Sequence, residues 1–189
     1  MKTSLWLCLL LLVTDVVAAQ ETMTPERFKQ LVATPGDNTA LRPELASLPF
    51  WKNSKCNVTM KWQNGKIFKE DCLQTSKTIG GKYLVFTTES KFYNRTMYAV
   101  GEYDEKASAI RLWGLYENTL TQATMVVDLE KKISASTSNY GDFMEISVGS
   151  CSANEMSDHT LVYKNGVLFM TRDVKAQPLA ATNSVPRTR

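Results

Sequence analysis

The chain has 189 residues, 22 Lys and Arg against 19 Asp and Glu, 43% apolar residues, four Cys and one His. Its formal net charge of +3 is too small to mark a nucleic-acid or acidic-substrate partner, and its composition is that of a folded globular protein. One histidine excludes multi-histidine zinc, copper and iron sites, and acid–base chemistry that needs two.

Residues 1–19 have the layout of a secretory signal. Lys2 precedes an apolar run from Leu5 to Val13, and Val17-Ala18-Ala19 offers small residues before a cut near Gln20. That run is too short to span a bilayer, and no second candidate follows, so no integral membrane anchor is expected. The expected product is an exported protein, secreted or periplasmic. Export leaves Cys56, Cys72 and Cys151 in an oxidising compartment.

Residues 20–53 form an expected helical segment. Thr24-Pro25-Glu26 supplies a cap residue, a proline for the first turn and an early acid, and Phe28, Leu31 and Val32 follow at helical spacing. Pro35-Gly36-Asp37-Asn38 stops that helix; Leu41 to Leu48 predicts a second short one, ended by Pro49. Both read as lid or packing elements.

From residue 54 the pattern changes to period two: Cys56, Val58, Met60 and Trp62 alternate with polar residues. A hairpin follows at Gln63-Asn64-Gly65. A three-residue loop there places Trp62 opposite Lys66, and the same register sets Cys56 opposite Cys72, predicting a disulfide between them. Further strands are expected at 66–79, 83–92, 96–104, 109–117, 121–129, 133–138, 143–148, 160–164 and 167–175. The connections are too short for parallel crossovers. The fold class is therefore all-β, an antiparallel up-and-down barrel of about eight to ten strands over 54–175, with one or two short N-terminal helices and a disordered tail at 176–189. Closure is the usual way for so long a meander to hide its edges.

Ile79-Gly80-Gly81-Lys82-Tyr83-Leu84, Gly101-Glu102-Tyr103-Asp104 and Leu112-Trp113 resemble the Gly-Gly-Arg/Lys-aromatic-Leu and Gly-Tyr-Asp motifs of bacterial lipocalin-like proteins grouped as a domain of unknown function. Glu102 is an insertion relative to that pattern, and Leu48-Pro49-Phe50-Trp51 stands where many lipocalin-like barrels carry Gly-x-Trp. The resemblance implies a calycin-type barrel that binds a small apolar molecule. Phe86, Tyr98, Trp113, Met125 and Phe169 are the candidate lining residues.

Few residues offer chemistry. Cys151 has no identifiable base, Gly80-Gly81 reads as a tight turn rather than a phosphate loop, and Asp104 reads as a turn acceptor. His159, read as inward-facing with Leu161 and Tyr163 at a barrel end, is the candidate haem ligand, as in barrels of similar layout. Without it no cofactor is expected. Glu102 or His159 would serve an alternative reading as an enzyme on a small organic substrate. Asn57 and Asn94 lie in glycosylation tripeptides. The expected function is carriage of a small hydrophobic molecule without catalysis, and no nucleic-acid partner is expected.

Overall fold

The computed structural model describes residues 22–37, 39–46, 53–116, 118–152 and 154–179. The predicted signal, its cleavage site and most of the tail lie outside the described residues. Two helices, α1 (Pro25–Ala33) and α2 (Pro43–Ala46), precede ten strands: β1 (Ser54–Trp62), β2 (Ile67–Ile79), β3 (Tyr83–Ser90), β4 (Arg95–Asp104), β5 (Ala109–Tyr116), β6 (Thr119–Asp128), β7 (Ile133–Tyr140), β8 (Phe143–Cys151), β9 (Met156–Lys164) and β10 (Val167–Pro178). Each strand pairs antiparallel with its neighbours in sequence, and β1 pairs with β10 to close the barrel.

Local sequence explains these elements. The Thr24 hydroxyl accepts from the Arg27 amide at 3.1 Å and caps α1, with Pro25 in its first turn. Gly65 takes φ +81°, and the Trp62 amide donates to the Lys66 carbonyl at 2.9 Å, closing the three-residue loop. The resulting register pairs Cys56 with Cys72, as the spacing predicts. Asp104 accepts from the amides of Lys106 and Ala107 and pins the turn between β4 and β5.

Each helix buries a different side of the wall. Through Phe28, Leu31 and the preceding Met23, α1 lies outside the barrel against Tyr83, Val85, Val100 and Trp113. In contrast, α2 closes one end: Leu45, 0% exposed, packs among the inward-facing Leu84, Phe86, Ile110 and Met125. The segment between the helices is tied to the β2–β3 turn. Asp37 accepts from the Gly80 amide, the Arg42 amide donates to the Gly81 carbonyl, and Lys77 Nζ donates to the Val32 and Thr34 carbonyls at 2.6 Å each.

Gly81 is the tightest point of that anchor. Its φ is +64°, and a Cβ there would stand 2.6 Å from the Ala40 carbonyl oxygen, which is backbone and cannot swing away. Gly81→Ala is expected to cost about 1–2 kcal/mol from the left-handed backbone alone, with the clash against Ala40 added to it, read as a lower denaturation midpoint. A midpoint equal to that of the unsubstituted protein would contradict the anchor.

Several boundaries differ from the sequence expectation. β10 continues past Lys175 to Pro178 because Ala176 is buried between Cys56 and Met156, so the first tail residues belong to the barrel. β8 and β9 run to Cys151 and from Met156, which puts His159 within a strand rather than at a barrel end. The phase of β9 is also reversed: Asp158, Thr160 and Val162 face inward, and His159, Leu161 and Tyr163 face out.

Candidate functional site: a hollow with a polar wall

The barrel is not solid. A hollow of about 560 Å³ is lined on one side by Met97, Ala99, Leu112 and Ala123, and on the other by Ser138, Tyr140, Glu145 and Arg172. A smaller space of about 240 Å³ shares Met97, Ala99 and Leu112 and adds Phe86, Thr88, Gln74 and Met156. The larger hollow also touches Phe28, Lys29 and Val32 of α1. It reaches the outside there because the β4–β5 ladder starts only at Ala99–Gly114, leaving Arg95–Tyr98 unpaired on that side.

The polar wall is a connected network on β7 to β10. Arg172 Nη2 lies 3.0 Å from Glu145 Oε2, and Nη1 lies 3.5 Å from Oε1. The Tyr140 hydroxyl donates to Glu145 Oε1 at 2.6 Å. Thr160 donates its only hydroxyl proton to Asp158 at 2.8 Å, so its oxygen accepts from Ser147 at 2.8 Å and from Arg172 at 3.4 Å. The strand register makes this possible: Ser147 faces Thr160, Thr160 faces Arg172, and Glu145 faces Val162.

Burial sets the protonation states. Burial, and then the Glu145 charge, push the Tyr140 phenol up, so it remains a donor. Burial pulls the Arg172 guanidinium down, but the charge and hydrogen bonds of Glu145 more than offset this and leave it raised. Asp158 is raised above the usual carboxylate range by burial, against the Thr160 hydrogen bond and the Arg172 charge. The native state therefore holds a proton on Asp158 at pH values where the unfolded chain has lost it. Its contribution to stability falls as pH rises from the ordinary aspartate value through the raised one. Asp158→Asn is expected to flatten that part of the stability–pH curve, measured by urea unfolding across the acid range. An unchanged slope would contradict a raised Asp158.

At the end opposite α2, aromatic rings crowd the rim. Phe92, in the turn after β3, sits 5.7 Å from Trp62, 5.0 Å from Phe68 and 4.8 Å from Tyr93, ring centre to ring centre. The turn is latched by Glu70, which accepts from the Ser90 hydroxyl at 2.9 Å and from the amides of Lys91 and Phe92 at 2.7 and 3.1 Å. The latch spans a split in the wall, because β2 and β3 pair only from Gln74–Thr88 to Ile79–Tyr83. Cys56 and Cys72 line a cleft of about 720 Å³ at that split. Both are thiols here, buried and facing each other. The Cys72 thiol, against burial, lowers Cys56 to about 7, with the Ser54 hydroxyl assisting. Cys72 is raised by its bond to Cys56 and by burial.

The predicted lining residues scatter. Phe86 faces inward and lines the smaller space. Met125 also faces inward, but packs under the Leu45 plug. Trp113 borders the hollow near α1, yet is buried in the outer cluster with Phe28 and Val100. Tyr98 also borders the hollow and is 42% exposed. Phe169 lies at an irregularity in β10 and meets Phe143 edge-on at the rim. His159 stands on the outer wall with Nδ1 2.6 Å from Asp173, and Glu102 is buried on the outer wall beside Lys82 Nζ at 2.8 Å. Neither lines the hollow. Asn57 and Asn94 are exposed.

The residues that make the polar wall went unread in the sequence. On β8, Met144, Ile146 and Val148 face solvent while Glu145 and Ser147 face in, an inversion of the ordinary barrel pattern. The regular Ser134, Ser136 and Ser138 on β7 were the available signal that this side of the lumen is hydrophilic.

No protein-family model and no curated protein matches the chain. Among solved structures, the chain is similar to a protein of unknown function from the DUF3598 family of Nostoc punctiforme PCC 73102, with a TM-score of 0.51 and 12% identity. The match covers 78% of this chain and 53% of that one, so this chain spans about half the length of the solved protein. The likeness is one of fold.

Proposed function

We propose that the protein is an exported carrier that encloses a small, largely hydrophobic molecule in its barrel without transforming it. The observation that carries this reading is the hollow of about 560 Å³, apolar along Met97, Ala99 and Leu112 and reachable beside α1. That size and mixture of linings suit a small organic ligand, with a few polar groups to orient it. The signal-like residues 1–19 support export, to the exterior or the periplasm. The alternative uses of Glu102 and His159, haem ligation included, gain nothing from the geometry, since both stand on the outer wall.

Native mass spectrometry of the protein from its source, combined with titration by the neutral dye Nile red, tests the reading. A bound small-molecule adduct, or saturable dye binding lost on filling the hollow with Ala99→Trp, is expected. No adduct and no dye binding would overturn it.

Export also bears on the cysteine pair. Residues facing across an antiparallel ladder have Cα atoms about 4.5–5.5 Å apart, inside the range a disulfide spans. The Cys56–Cys72 bond is expected in protein from an oxidising compartment, closing a short loop that contributes about 3 kcal/mol. Alkylation before and after reduction reads it directly; two thiols modified at residues 56 and 72 without reductant would contradict it.

A further inference from the structure

The hollow's charges indicate what its ligand carries at the polar end. Arg172 is the cation of the polar wall, and its charge is already matched by Glu145, which it meets through both terminal nitrogens. Among the described inward-facing residues there are two further carboxyls, Asp158 and Glu70. Glu70 is consumed by the latch on Ser90, Lys91 and Phe92. Two further cations, Arg95 and Lys29 of α1, line the hollow at its open side, and the inward-facing Lys164 stands at the rim; all three are exposed, where water and salt weaken their reach. An anionic ligand end placed against the wall would thus meet a neutralised guanidinium and the charge of Glu145 in a partly desolvated space.

A donor meets the opposite situation. A carboxylate offers about four acceptor positions. Glu145 receives Tyr140 and Arg172 Nη1 on Oε1 and Arg172 Nη2 on Oε2, so Oε2 retains an acceptor position on the wall of the hollow. Ser138, on the same wall, adds a hydroxyl that can accept or donate.

Resting on the carrier reading, we infer that the ligand is an amphipathic amine or alcohol rather than a carboxylic acid. Its apolar body lies along Met97, Ala99 and Leu112, and its donor group sits against Glu145. The ion pair with Arg172 fixes the Glu145 carboxylate for that contact and neutralises the buried cation that an anionic headgroup would otherwise meet there.

Octylamine, octanol and octanoate share one chain and differ at the head, so their displacement of Nile red from the full chain near neutral pH tests the inference. The expected order is octylamine at least as tight as octanol, and both at least tenfold tighter than octanoate. Glu145→Gln frees the Arg172 charge and is expected to bring octanoate ahead of octylamine. His159→Gln, on the outer wall and away from the hollow, should preserve the original order, and the order in the unsubstituted protein carries the test if the Glu145→Gln variant fails to fold. Octanoate binding tightest to the unsubstituted protein, or dye binding with no displacement by any of the three, overturns the headgroup inference and leaves the carrier reading intact. Absence of dye binding together with no heat of binding for any of the three overturns both.

Discussion

Arg172→Met is expected to destabilise the barrel by about 3–5 kcal/mol. The substitution fills the space of the side-chain stem but strands Glu145, whose carboxylate keeps only the Tyr140 hydroxyl among its present partners. It also removes a donor from Thr160, which stays bonded to Asp158 and Ser147. A buried charge that loses its counter-ion is far more costly than the absence of the pair as a whole. The double substitution Arg172→Met with Glu145→Gln should therefore recover a large part of the loss. Chemical denaturation of the single and double variants measures this directly. Equal stability of Arg172→Met and the parent protein would show that the polar wall does not act as a connected unit.

Leu45→Ala should cost about 2–5 kcal/mol, a large effect for a helix of one turn. Leu45 is the side chain that α2 sends into the barrel end, and its neighbours Leu84, Phe86, Ile110 and Met125 are held by the sheet and cannot collapse onto the space it leaves. The backbone around it is tied down by the Arg42–Glu105 ion pair at 2.6 Å and by the hydrogen bond from the Arg42 amide to the Gly81 carbonyl. The measured quantities are the unfolding free energy and the binding of a hydrophobic dye at the exposed end. A loss under about 1 kcal/mol, outside the range for a fully buried leucine, would mean that α2 rests on the barrel without sealing it.

The legible and illegible parts of this protein separate along one physical line. Turn chemistry was readable: Asn64-Gly65 placed a hairpin, Gly80-Gly81 placed a second turn, and together with the other short connections they implied antiparallel neighbours throughout. The facing of Cys56 and Cys72 followed from loop length alone. The inward face of each strand was harder, because the usual inference sets apolar residues inside. It holds for β1, where Cys56, Val58 and Met60 are buried. It fails on β8 and β9, where Ile146, Val148 and Leu161 face outward while Glu145, Ser147 and Thr160 build the lumen. Single-strand periodicity reports that two faces differ, not which one lies inside, and a partly hydrophilic interior removes the clue that normally decides.

That failure of phase is why His159 and Phe169 were poor guides to the site and why Glu145 and Arg172 were missed. Trp113 misleads for a different reason. A strand facing α1 is buried on both sides, so a large apolar residue on β5 need not point into the barrel. The helix that covers it comes from a segment whose docking position no local pattern specifies. Its anchors, the Lys77 amine on the α1 carbonyls and the Asp37–Gly80 contact, join residues about forty positions apart.

On the carrier reading, the barrel interior takes up a guest molecule between an apolar wall on β4–β5 and a polar one on β7–β10. A crystal structure of the protein grown with a bromoalkyl alcohol tests it most directly, because the anomalous signal of bromine locates the alkyl end independently of phase bias. The expected result is a bromine peak inside the barrel beside Met97 and Leu112, with the hydroxyl toward Glu145. A lumen packed solid with side chains, and bromine found only on the outer surface, would contradict it.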